Sequence, residues 1–326
     1  VEPLPAELSR VLELAAAKLP TGRLTDQTSR LIDRYQSDFP APPGEPIVAD
    51  DPAATAYALY RMPATYAAVR AALHQAALAM PGFAPRRHCD LGGGTGGAVW
   101  AVADTWPTIT EHRVIEQSPA MITLGRRLAS AGTGAVAGTA WDRGLLDGSL
   151  AIPPTDLITI SYVLGELAPE LRQTMITKLA QAAPTVAIIE PGTKAGYRRI
   201  LDARKILITA GMRIAAPCPH AEPCPMAADD WCHFAVRVNR SSTHRMIKNA
   251  ELSYEDEKFS YLIATREPAQ PGAARIVRHP RYAKGRVLLT LCRRDPQIEQ
   301  AVVAKRDQEG YRQARRADWG DRWPTG

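Results

Sequence analysis

The sequence predicts an α/β fold, a doubly wound and mostly parallel sheet behind a helical N-terminal region. Three observations carry this. From Arg87 onward, short apolar runs alternate with helix-length amphipathic segments, the pattern of parallel strands joined by crossover helices. The first of these runs, RHCDL, leads into a glycine-rich loop, GGGTGG at 92–97, followed by the helical stretch GAVWAVADTW. A chain of 326 residues, 45% hydrophobic and 23% charged, has the composition and length of a globular protein with a sizeable core.

Residues 1 to about 37 read as helices. The Pro-rich segment Phe39–Pro52 reads as a loop. Tyr66, Val69, Leu73 and Ala77 then recur at helical spacing, with Met62-Pro63 marking a break between two helices. Strands follow at RHCDL, 111–117, 133–140, 156–164 and 185–192. Helices fall at SPAMITLGRRLASA, APELRQTMITKLAQAA and YRRILDARKILITAGM. A Cys-rich insertion, 213–257, precedes what read as the last two strands, 258–266 and 285–294. The expected domains are a helical region 1–84, a core domain 85–304 and a basic tail 305–326 that is helix and then extended. No internal repeat is visible.

Glycines in the loop let the backbone turn tightly beneath a nucleotide-like ligand. Gly92, Gly94 and Gly96 give G-x-G-x-G, which dinucleotide enzymes share. Two acids tilt the reading toward S-adenosylmethionine. Asp90 precedes the glycines, where a cationic methionine moiety can be held. Glu116 ends the next strand, where a carboxylate can accept both ribose hydroxyls. Asp142, after the third strand, is the candidate adenine contact. Ser161, at the end of the fourth, is the candidate at the reactive end, with Tyr162 beside it. The stretch ITISYVLGEL lacks the Asn/Asp-Pro-Pro-aromatic motif of enzymes that methylate exocyclic base amines. No catalytic base or nucleophile stands out. The fold class expected is the Rossmann-like, seven-stranded class I S-adenosylmethionine-dependent methyltransferase.

Cys218, Cys224 and Cys232 are spaced by six and eight, wider than the knuckles of a structural zinc site. With Cys292 as a fourth thiolate the set suits a [4Fe–4S] cluster. Zinc is the alternative, with His220 and His233 as substitute ligands. Cys89, within the first strand, reads as a small buried apolar residue. The C-x₃-C-x₂-C loop of radical chemistry is absent.

From Arg266 to Gly326 there are 14 Lys and Arg against 7 Asp and Glu, so the C-terminal fifth carries the whole surplus of the +6 chain. Such a footprint fits a polyanion. HRMIKNAE, RIVRHPRYAKGR and YRQARRADWGDRW are candidate RNA-contacting segments, with Tyr and Trp available for stacking. No apolar run approaches the roughly 20 residues that span a bilayer. The mixed first residues do not read as a secretion signal, and the opening Val suggests a trimmed N-terminus.

Taken together, AYALYRMPATYAAV, DLGGGTGGAVWA, SYVLGEL, IIEPGT, PCPHAEPCPM with DWCHF, FSYLIATR and YRQARRADWGDRWP resemble the methyltransferase-like assembly factors of the small ribosomal subunit. These are best described in mitochondria and have bacterial relatives. The resemblance implies a [4Fe–4S] site on Cys218, Cys224, Cys232 and Cys292. It also implies S-adenosylmethionine held through Asp90, Gly92, Gly94 and Glu116, and the immature small subunit and its rRNA as partners. The protein is expected to be a monomer off the ribosome, with no membrane partner. An active rRNA methyltransferase is the alternative, and a small-molecule methyltransferase with a zinc site a further one. Composition favours a bacterial cytoplasm, with the mitochondrial matrix as the alternative.

Overall fold

The computed structural model describes residues 3–36, 48, 50–248 and 251–324. Three helices open the chain, α1 (Ala6–Ala16), α2 (Thr21–Gln36) and α3 (Asp51–Ala79). Most of the expected Pro-rich loop lies outside the described residues. The Asp50 side chain caps α3, accepting from Ala53 N at 2.8 Å. Contrary to the expected break, α3 runs unbroken through Pro63. Pro63 removes one backbone donor. The helix survives because it is buried on nearly all sides, from Ala53 to Ala79, in the main core.

The alternating region then runs β1 (Arg87–Leu91), α4 (Gly97–Thr105), β2 (Glu111–Glu116), α5 (Pro119–Ala129), α6 (Gly134–Ala137), β3 (Ala140–Arg143) and β4 (Leu157–Ser161). It continues through a 3₁₀ turn (Leu164–Glu166), α7 (Pro169–Ala182), β5 (Thr185–Pro191), α8 (Lys194–Thr209), β6 (Arg213–Ala216), β7 (Phe234–Asn239), α9 (Ser242–Ile247) and β8 (Tyr254–Thr265). The strand expected at 133–140 is instead the short α6, with β3 beginning only at Ala140. Gly134 starts that turn at φ +54°, and the residue that enters the core is Trp141.

Among the described residues the main sheet has the order β3-β2-β1-β4-β5-β8-β6. β1 to β5 pair in parallel. β8 lies antiparallel between β5 and β6. This is the class I methyltransferase topology. β7 adds an eighth strand along the first half of β8. One face carries α3, α4 and α5, the other α7 and α8.

The rest forms a second sheet from β9 (Ala274–Ile276), β10 (Arg281–Ala283), β11 (Arg286–Arg293), β12 (Ile298–Ala304) and β13 (Arg322–Trp323). α10 (Gln308–Arg316) packs on it through Tyr311 and Ala314. Two expectations are corrected. The strand at 285–294 belongs to this second sheet, paired with β9, β10 and β12. The expected insertion 213–257 therefore does not precede the last two strands of the main sheet; it contains β6, β7 and α9 and runs into β8, with its cysteines on the β6–β7 connection. Residues beyond 305 fold back, and β13 pairs with β9.

Candidate cofactor site and cysteine centre

The glycine loop turns between β1 and α4. Gly92, Gly94 and Gly96 take φ of +63°, +54° and +88°, a region that side chains disfavour. Gly93 is needed for space instead, since a Cβ there would fall on Asp90 Oδ2 and 2.7 Å from Val114 Cγ1. Asp90 sits beneath the loop, 1% exposed. Its Oδ1 accepts from Thr159 Oγ1 at 2.6 Å, and its Oδ2 has no partner. Burial pushes Asp90 up to about 7, against the Thr159 bond and with the Glu116 charge adding. Glu116 ends β2, buried, and accepts from Gly94 N at 2.9 Å and Ser118 N at 2.8 Å. Its carboxylate is thus locked to the loop's own backbone, and burial raises its pKa.

Asp142 is on β3 itself, half exposed and paired with Arg113 of β2. Ser161 ends β4 with its Oγ buried and unpartnered. Tyr162, next in sequence, takes φ +62°, a strained value for a non-glycine residue. Its hydroxyl donates to Glu257 Oε1 at 2.9 Å, and Arg61 of α3 bonds Glu257 at 3.2 Å. The Arg61 guanidinium lies 5.0 Å from the Tyr162 ring centroid. α3 and β8 thus hold Tyr162 from two sides.

The structure brings Cys218, Cys224, Cys232 and Cys292 together around one cavity at the junction of the two sheets. Three come from the β6–β7 connection and the fourth from β11. Burial, with the other cysteines adding, holds Cys232 well above the usual thiol range and Cys292 at about 12; burial also raises Cys218. A positive centre between them is what would release those protons. Among the described residues no three His, Cys, Asp or Glu groups converge to hold a single metal ion. His220 Nε2 stands 3.6 Å from Cys292 Sγ. His233 stacks on Trp231 instead, with ring centroids 5.0 Å apart. Cys89 is buried in β1 and does not line this cavity.

The family model described as "Mitochondrial small ribosomal subunit Rsm22" matches residues 51–324, from the start of α3 to the end of β13. The chain belongs to the Rsm22 family. A human relative, "Ribosome assembly protein METTL17, mitochondrial", is 27% identical over 293 residues, 82% of this chain and 62% of the relative. The chain therefore spans somewhat under two thirds of that relative's length. Solved structures with a similar fold include magnesium protoporphyrin IX methyltransferase of Synechocystis PCC 6803, at 18% identity and TM-score 0.37, covering 57% of this chain and 73% of that one. Human N-acetylserotonin methyltransferase matches at 14% identity and TM-score 0.35, covering 61% and 51%.

In this Rsm22-family chain several residues that sequence reasoning missed hold the cysteine loop. Tyr197 of α8 donates to Cys224 Sγ at 3.2 Å. Arg204 Nη2 donates to the carbonyls of His220 and Glu222 at 2.8 and 2.7 Å. Ser260 of β8 donates to Cys232 O at 2.9 Å. Arg275 of β9 donates to Pro217 O at 2.8 Å and Gly320 O at 2.9 Å, and bonds the Gln75 side chain of α3. The one available signal was an arginine inside an otherwise apolar strand, ARIV. Of the basic segments, Arg275 and His244 are buried. Arg281, Tyr282, Lys284 and Arg286 on the β10–β11 hairpin, with Arg315 and Arg316 of α10, are exposed.

Proposed function

We propose that the protein is an S-adenosylmethionine-binding, [4Fe–4S]-containing methyltransferase-like factor that binds small-subunit rRNA and assists assembly of the small ribosomal subunit. The observation that carries this is the gathering of three cysteines of the β6–β7 connection and a fourth of β11 around one cavity, in a member of a small-subunit family. An all-thiol donor set of four cysteines lining one cavity is the ligand type of a [4Fe–4S] cluster. Bound, the cluster would supply a four-point crosslink between the β6–β7 connection and β11. Tyr197 and Arg204 hold the loop from α8, and Arg275 holds it from β9.

The glycine loop fits S-adenosylmethionine. A Cβ on Gly93 would fill the space above Asp90, whose Oδ2 is buried and orphaned. Glu116 is fixed where a ribose would lie, each carboxylate oxygen retaining a lone pair beyond its backbone bond. Bound there, the cofactor would supply a sulfonium-activated methyl group. For this chain's own part, Asp90 would face the cationic methionine end and Glu116 the ribose. The Tyr162–Glu257–Arg61 bridge would shape the space past β4.

The exposed strip Arg281, Lys284, Arg286, Arg315 and Arg316 would meet phosphates, with Tyr282 beside it for stacking; the Arg315 guanidinium lies 5.2 Å from that ring centroid. The mitochondrial name of the human relative supports the matrix as the compartment.

Anaerobically purified protein is expected to be brown, with about four irons and four sulfides per chain, following from the four-thiolate ligand set. Cys218→Ser is expected to lose the iron and the co-sedimentation with immature small subunits, whereas Cys89→Ser keeps both. A colourless protein containing zinc would sink the cluster reading.

A further inference from the structure

Four buried side chains form an unbroken hydrogen-bonded line across three strands. His112 of β2 and His88 of β1 are partners in the β1–β2 register. Asp90, two residues along β1, shares a face with His88. Thr159 of β4 is the register partner of Asp90. The links are His112 Nδ1 to His88 Nδ1 at 2.9 Å, His88 Nε2 to Thr159 Oγ1 at 2.8 Å and Thr159 Oγ1 to Asp90 Oδ1 at 2.6 Å. None of the four residues is more than 2% exposed. The line ends on two orphaned atoms, Asp90 Oδ2 beneath the glycine loop and His112 Nε2.

We propose that His88, His112 and Thr159 are positioning residues for Asp90, forming a relay whose proton order reverses when Asp90 gains or loses its charge, so that binding of the cationic cofactor expels a proton. This rests on the reading of the glycine loop as an S-adenosylmethionine site. The proton order follows from the inventory of donors. Burial lowers both imidazoles, His88 well below its ordinary value and His112 to about 4, so both are neutral with one N–H each.

With Asp90 ionised, Thr159 must donate to it. His88 must then donate through Nε2 and receive at Nδ1, and His112 carries its proton on Nδ1. With the proton on Asp90 Oδ1, every link turns round. Asp90 donates to Thr159, Thr159 to His88 Nε2, and His88 Nδ1 to His112, whose proton moves to Nε2. The two states differ by one proton, and on binding it passes from the Asp90 carboxyl to the buffer, leaving the carboxylate facing the bound cation.

The other charged group acting on Asp90 is Glu116, whose negative charge favours the protonated acid. Asp90 in the free protein titrates at about 7, with burial the main cause. The sign follows. The cation prefers ionised Asp90, so affinity rises with pH up to about 7 and levels off above it, and falls about tenfold per unit below.

Calorimetry with S-adenosylmethionine in buffers of differing ionisation enthalpy is expected to give about one proton released per cofactor near pH ~6 and almost none near pH ~8.5. Nitrogen-15 imidazole spectra at pH ~6 should show His88 moving from Nδ1–H to Nε2–H, and His112 from Nε2–H to Nδ1–H, as cofactor binds. In Thr159→Val both tautomers should stop responding, and Thr159→Ser should restore the response. Cofactor binding with both tautomers unchanged, or with no proton released at the lower pH, overturns the relay. Absence of binding at every pH overturns the cofactor reading and the coupling with it. Tautomer reversal against pH in the free protein would then still report the line itself.

Discussion

Replacing Arg275 with leucine is expected to lower the free energy of unfolding by about 4 kcal/mol and to uncouple the two sheets. Arg275 is 1% exposed on β9. Its guanidinium reaches the cysteine loop at Pro217 O, the C-terminal segment at Gly320 O and α3 at the Gln75 side chain. A hydrogen bond from a charged donor contributes about 1.5–3 kcal/mol, and a buried acceptor left without its donor costs a further ~1–3. Leucine fills much of the volume but satisfies none of the three acceptors. Urea denaturation followed by tryptophan fluorescence should show the loss, with the single transition broadening or splitting. A change below about 1 kcal/mol would mean that the joint is carried by apolar packing alone.

Gly93→Val is expected to weaken S-adenosylmethionine binding at least ~100-fold, about 2.7 kcal/mol. The first atom of any side chain at this position falls on Asp90 Oδ2 and within 2.7 Å of Val114 Cγ1. Both neighbours belong to buried strands of the central sheet and have little freedom to move. The loop must rise instead, carrying Gly94 N away from Glu116 Oε2. Gly148→Ala is the control. It meets nothing within 4 Å, and is expected to stay within about 0.5 kcal/mol of the parent in stability. Isothermal titration of the two variants separates a loop effect from a general glycine effect. Parent-like affinity in Gly93→Val would show that the cofactor does not use this loop.

How far each element could be read depended on whether its signal was local. β4 and β5 are short apolar runs, and β1 and β2, more polar, were legible from the glycines that follow β1 and the spacing beyond them. β3 contributes one buried residue, Trp141, between polar neighbours, too little for a strand pattern. β6 is four residues long and is held by β8, its partner some fifty positions on. β11 was legible as a strand but not as a member of a second sheet, since the same alternation serves either. Pro63 read as a helix break because local propensity knows nothing of the burial around α3. At the site, Cys218, Cys224 and Cys232 stood out by their clustering and Cys292 only as a fourth thiolate; all four line the cavity. Arg275, Arg204, Tyr197 and the His88–His112 pair carried none, because each acts through contacts made only when distant strands meet.

The placement of β8 has a consequence for synthesis of the chain. β5 and β6 are made first, yet neither pairs with the other; β8 lies between them. Until residue 265 has left the ribosome, both present open backbone edges, and β6 has no sheet to join. Unpaired edges of this kind invite pairing with foreign strands. The 37 residues from Pro217 to Ser253, which include the cysteine loop, separate β6 from β8. They set how long a nascent chain must wait, half-closed, before its own last strand fills the gap.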